Sequence, residues 1–227
     1  MVTTTRDIID EIDGIIAGRN LLEHPFYQAW QRGELTQEHL RGYAGQYWHH
    51  VLAFPQYVSA AHAICPDQSD RQELLENLIE EERGDENHPE LWLRFAEGVG
   101  AARDDVKNAA PLDGTERLVS TFRDATMHRS FAEACAALYV YESQVPEVAK
   151  TKIAGLKAFY GKGDPRTLQF FEVHIGADEW HSQVGAEMVR RHTNDEASRE
   201  AVLSTARECA DALWGFLDGV HQTYVAA

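Results

Sequence analysis

The stretch "FFEVHIGADEWHSQ", residues 170 to 183, carries three chemically capable side chains at spacings of four and three: His174, Asp178 and His181. A helix turns about 100° per residue, so Asp178 lies roughly 40° to one side of His174 and His181 roughly 20° to the other. All three share one face. Each is costly to bury without a partner, and imidazole nitrogens with carboxylate oxygens on one internal face are a ligand set for iron, manganese or zinc. Three ligands do not fill two metals, so a second half is to be sought elsewhere. "IEEERGDENHPELW" offers Glu81 and His88, seven residues apart, two turns on one face if the helix is continuous. Pro89 argues against continuity, because the residue before a proline avoids helical backbone, and His88 is expected at a helix break. Glu142 in "ALYVYESQVP" interrupts one of the most apolar segments of the chain, which marks it as buried and partnered, the natural bridge between two cations. Taken singly, each group has an ordinary reading: a salt-bridged helix face, a solvated acidic run, an acid paired with an arginine.

The elements that must position these groups read as helix after helix. "RDIIDEIDGIIAGR", capped by Thr4 or Thr5, places Ile8, Ile9, Ile12, Ile15 and Ile16 on one stripe, and "TQEHLRGYAGQYWHHVLAF" opens at Thr36 and runs aromatic on one side. "DRQELLENLIEEERGDEN" is amphipathic, "PELWLRFAEGV" has Pro89 in its first turn, and "GTERLVSTFRDATM" follows a "PLDG" turn. A long stretch from Ser130 should bend or break at Pro146; helices over about 165–192 and 195–224 follow. No alternating strand pattern competes. The expectation is an all-α bundle of about seven helices, one domain over residues 1–227.

Composition narrows the function. Thirty-seven acidic against 21 basic residues give a formal charge of -16, which disfavours nucleic acid and anionic membranes as partners. The start, "MVTTTRDIIDEIDG", lacks the basic and apolar regions of a secretory signal, and no apolar run approaches the ~20 residues of a membrane span. Cys65, Cys135 and Cys209 are far apart and form no C-x-x-C pair, which fits a reducing, cytoplasmic setting.

Glu81-x6-His88, then Glu142, then His174-x3-Asp178-x2-His181, resembles the heme-oxygenase-like diiron oxidase superfamily, relatives of the TENA/thiaminase II and PqqC proteins. Within it the chain is most similar to the CADD-like branch, known as self-sacrificing para-aminobenzoate synthases. The resemblance runs from "HPFYQAW" to the 165–192 helix. It implies a seven-helix bundle, commonly a homodimer, holding two transition-metal ions (Fe/Fe or Fe/Mn) that activate dioxygen with electrons from a donor. It also implies that Glu81, His88, Glu142, His174, Asp178 and His181 are metal ligands. Tyr27 in "HPFYQAW" matches the tyrosine the branch consumes as the ring of its product, a folate precursor, and Lys152 in "AKTKIAG" matches its amino donor. By themselves Tyr27 reads as a core aromatic and Lys152 as a surface lysine. The other aromatics, among them Tyr43, Tyr47, Tyr141, Trp48 and Trp180, could line the pocket or relay electrons, but read mostly as core.

Rival readings stay open at this point. A thiaminase II-like aminopyrimidine hydrolase would use Cys135 with Tyr139 and Tyr47, although Ala44 stands where an acid is expected. A ferritin-like site would use Asp85-x-x-His88 and Asp178-x-x-His181, with its lone glutamates only half apparent. A diiron oxidase could also act on an external small molecule. A death-domain-binding role has no visible surface in the sequence.

Overall fold

The computed structural model describes residues 6–226, without the side chains of residues 177–179. Among the described residues there is no strand. The helices are α1 (Ile8–Ala17), α2 (Pro25–Gln31), α3 (Gln37–Ile64), α4 (Gln68–Glu82), α5 (His88–Gly98), α6 (Arg103–Lys107), α7 (Asp113–Met127), α8 (Phe131–Glu142), α9 (Val145–Ala158), α10 (Pro165–His192) and α11 (Glu196–Val220), the last running into one wide turn, His221–Val225. None of these is long and apolar enough to cross a membrane.

Local chemistry sets most of the boundaries. Thr36 caps α3, Ser130 closes a capping box with Glu133 on α8, and Asp164 caps α10 ahead of Pro165. The cap of α1 is Asp7, whose carboxylate accepts from the Ile9 N–H at 2.8 Å and also holds Arg190; Thr4 and Thr5 lie outside the described residues. Pro146 separates α8 from α9: the chain turns at Ser143 and Gln144, so the proline falls in the first turn of α9, where its missing N–H is harmless. The short helices α2 and α6 carry too few residues to show an apolar period in the sequence.

α10 is the spine, packing against α5, α8 and α9, while α11 lies along α7 and α8, and α3 crosses α4, α5 and α7. A connected core runs from Ile8 on α1 to Val220 on α11. α5 approaches α10 so closely that a Cβ at Gly98 would collide with the Thr167 side chain. The same α5–α10 interface brings His88 beside His174.

Candidate metal centre

α4 and α5 meet at a corner built by three residues. Arg83 leaves α4 in extended backbone, and Gly84 takes φ +86°, a conformation open to glycine at little steric cost. Asn87 then accepts from the Glu90 N–H and donates its own amide to the Gly84 carbonyl, both at 3.0 Å, which fixes the start of α5. His88 is therefore the first residue of α5, at the break expected from Pro89. Glu81 and His88 do not share a continuous helix face; the corner folds them together, with His88 Nδ1 2.8 Å from Glu81 Oε2.

His174 joins them from α10. Its ring centroid lies 4.3 Å from that of His88, and ligand atoms of Glu81, His88 and His174 all fall within 4.8 Å of one another. All three residues are buried. The Phe170 carbonyl stands 2.5 Å from His174 Nδ1, so that nitrogen carries the proton and donates, leaving the lone pair on Nε2. Burial first, and His88 beside it, hold His174 well below the usual imidazole pKa, in the neutral form that binds metal.

A second pair lies on α8 and α10. Glu142, the last residue of α8, places Oε1 3.8 Å from His181 Nδ1, and both are buried. Asn77 on α4 donates to the same Glu142 oxygen at 2.7 Å, and Glu80 Oε2 lies 3.4 Å from His181 Nε2. Neither Asn77 nor Glu80 was singled out from the sequence. Asn77 stands one turn before Glu81 on α4, which was the available signal; Glu80 was masked by the acidic run around it. The Asp178 side chain is among those the structure does not describe. Two buried carboxylates and three buried imidazoles, drawn from four helices and including no thiolate, fit a hard-to-borderline metal such as iron or manganese.

A polar cluster inside an apolar cavity borders His174. The cavity has room for only one or two water-sized molecules, and Tyr27, Lys152, Tyr47, Tyr141 and His174 line it. Lys152, far from being a surface lysine, is 3% exposed. Its Nζ donates to Tyr43 Oη at 2.6 Å, and Tyr43 Oη is 3.1 Å from Tyr27 Oη. The same nitrogen sits 5.0–5.2 Å from the ring centroids of Tyr27, Tyr43, Tyr47 and Phe171. Burial pushes the Lys152 ammonium down to about 7 and raises the Tyr27 and Tyr43 phenols, so both phenols stay protonated. Tyr47 and Tyr141 share a 2.5 Å hydrogen bond between their hydroxyls. Tyr43, Tyr47 and Tyr141 are thus functional candidates rather than plain core. The clue was on α3, where Tyr43, Tyr47 and His50 repeat the four-and-three spacing of the α10 trio.

The hydrolase constellation does not assemble. Tyr47 lines the lysine cavity whereas Cys135 lines a different one, and Tyr139 donates to Asp13 on α1 at 2.7 Å. Burial raises the Cys135 thiol well above its ordinary value, the opposite of what a thiolate nucleophile requires.

Residues 41–214 match the family described as iron-containing redox enzyme. The chain is 46% identical to a 4-aminobenzoate synthase of Nitrosomonas europaea over 98% of its own length and 94% of that protein's. It is 39% identical to a 4-aminobenzoate synthase of Chlamydia muridarum, covering 93% and 89%. In fold it is similar to a TenA homologue from Pseudomonas syringae pv. tomato, with a TM-score of 0.82 at 18% identity over 95% and 91% of the two chains. With its buried histidine-carboxylate centre, this chain belongs to the family of iron-containing redox enzymes built on the heme-oxygenase-like helical fold.

Proposed function

We propose that this protein makes 4-aminobenzoate from the side chain of its own Tyr27, with Lys152 as amino donor. In this reading the reaction takes place beside a dinuclear Fe/Fe or Fe/Mn centre held by Glu81, His88, Glu142, His174, Asp178 and His181, with dioxygen as co-substrate. One observation carries the reading: Tyr27 and Lys152 are both buried and both hydrogen-bonded to the same Tyr43 oxygen, in a cavity that reaches His174 and has almost no room for another substrate. The 4-aminobenzoate synthases among its relatives supply the product.

When bound, the metal pair supplies the redox capacity that dioxygen chemistry on a closed-shell phenol needs. The protein's residues supply the rest. Burial keeps much of Lys152 as a neutral amine near pH 7, with a lone pair for carbon-nitrogen bond formation that an ammonium lacks. Tyr43 takes the amine's hydrogen bond on its oxygen and is left with its own proton to direct toward Tyr27. The same three atoms can pass a proton from the Tyr27 hydroxyl to the amine once both bonds reverse, with Tyr27 donating to Tyr43 and Tyr43 donating to the neutral Lys152 nitrogen. Phe170, Phe171, Leu213 and Phe216 close the cavity and exclude bulk water from the ring. The free, buried cysteines suit a cytoplasmic setting. A separate electron donor and a homodimeric assembly belong to the same proposal.

The test uses ring-labelled tyrosine. Protein grown with it, loaded with iron or iron and manganese and exposed to oxygen, is expected to release ring-labelled 4-aminobenzoate, at most about one per chain, and to lose the aromatic side chain from the Tyr27 peptide. Tyr27→Phe is expected to bind metal normally and release none. Unlabelled product, or repeated turnover with Tyr27 intact, refutes the proposal and points to an external substrate.

A further inference from the structure

The candidate centre has a second cavity on its other side. It is narrow, with room for about one water-sized molecule. Leu74, Leu138, Val184 and Met188 form apolar walls, half-buried Glu73 and the 43% exposed Trp180 form the outer edge, and Asn77, Glu142 and His181 form the floor. It therefore runs from the surface to two of the candidate ligands without passing Tyr27 or Lys152. Its floor is built rather than incidental: Asn77 is 5% exposed, its Nδ2 donates to Glu142, and its Oδ1 has no partner among the described residues.

We propose that this outer cavity is the inlet through which dioxygen reaches the metal centre, separate from the inner cavity that holds the tyrosine ring and the lysine. The inference rests on the dioxygen chemistry proposed above. Dioxygen is small and apolar, so it partitions into an apolar passage that charged solutes and organic molecules of substrate size do not enter. Separation has a chemical advantage. Dioxygen would arrive on the Glu142 and His181 side while the oxidisable phenols stay on the His174 side, so that no oxygen would have to thread between tyrosines to reach the ligands.

Gly185 lines this cavity on α10, and a Cβ there meets only Tyr139, at an ordinary 3.9 Å. A longer side chain at this position can fill the passage, and replacing a mid-helix glycine also favours the helix. Two measurements follow on wild type and on Gly185→Leu. Crystals of the metal-free protein under xenon pressure are expected to show xenon in the outer cavity of the wild type and none there in the variant. Stopped-flow absorbance of the reduced, metal-loaded protein mixed with oxygen is expected to give a second-order rate constant about tenfold lower in the variant at equal metal content. Val184→Trp, at the half-buried outer wall, is the second plug should Gly185→Leu fail to fold, with the same slowing expected. A wild-type cavity without xenon, or a plugged variant that reacts as fast as wild type, overturns the inlet while leaving the proposed synthase reaction standing. A reduced wild-type centre that does not react with oxygen overturns both.

Discussion

Replacing Lys152 with methionine should make the protein more stable near neutral pH, by an amount that shrinks as pH rises. The native lysine titrates at about 7 instead of the ordinary 10.5, with burial as the cause. Between those two values the unfolded chain binds a proton that the native state does not, so wild-type stability rises with pH across that window. At pH 7 and below, the full penalty is present. Each pH unit is worth about 1.4 kcal/mol, which makes the penalty about 5 kcal/mol at pH 7 and about 2 kcal/mol at pH 9. Methionine keeps the length and most of the volume but loses the 2.6 Å hydrogen bond to Tyr43, a loss of about 1 kcal/mol. The expected gain is therefore about 4 kcal/mol at pH 7 and about 1 kcal/mol at pH 9. Urea unfolding of metal-free wild type and Lys152→Met at the two pH values measures it, since other groups titrate alike in both proteins. A variant less stable than wild type at both, or a difference that does not change with pH, refutes the argument that burial alone sets the amine. The same variant should form no 4-aminobenzoate.

Two other outcomes test the metal centre and the cysteine. Glu142→Ala is expected to lose most of the metal measured by elemental analysis, because the carboxylate anchored by Asn77 also meets His181; full occupancy with full product yield would remove Glu142 from the ligand set. The native protein at pH 8 should leave all three thiols unalkylated by iodoacetamide while free glutathione reacts to completion, since Cys65, Cys135 and Cys209 are buried with raised thiol pKa values; rapid modification of Cys135 would reopen a cysteine-nucleophile reading.

Part of the site was written in local spacing. His174 and His181 are two turns apart on one uninterrupted helix, and the proline before α10 and the caps around it are sequence-local facts, so α10 and its shared face were legible without coordinates. The lone acid in "ALYVYESQVP" was legible for a related reason: a carboxylate among apolar neighbours must be partnered wherever it goes. Local rules also marked the helix breaks at Pro89 and Pro146, because proline constrains its own φ and the residue before it whatever the tertiary context.

Other parts were decided only when distant helices met. The sequence showed that His88 sits at a break but not that the corner at Gly84 and Asn87 would return it to Glu81, because the direction of a turn depends on what α5 packs against. Nothing local distinguishes Lys152 from its neighbours Lys150 and Lys157: all three lie on α9, and only the contact of that helix with α10 and α2 places one of them among four aromatic rings and the others at the surface. Tyr43 looked like core and is buried like core. Its two hydrogen bonds join residues 16 and 109 positions away, and long-range proximity of that kind is a property of packing that no window of sequence contains.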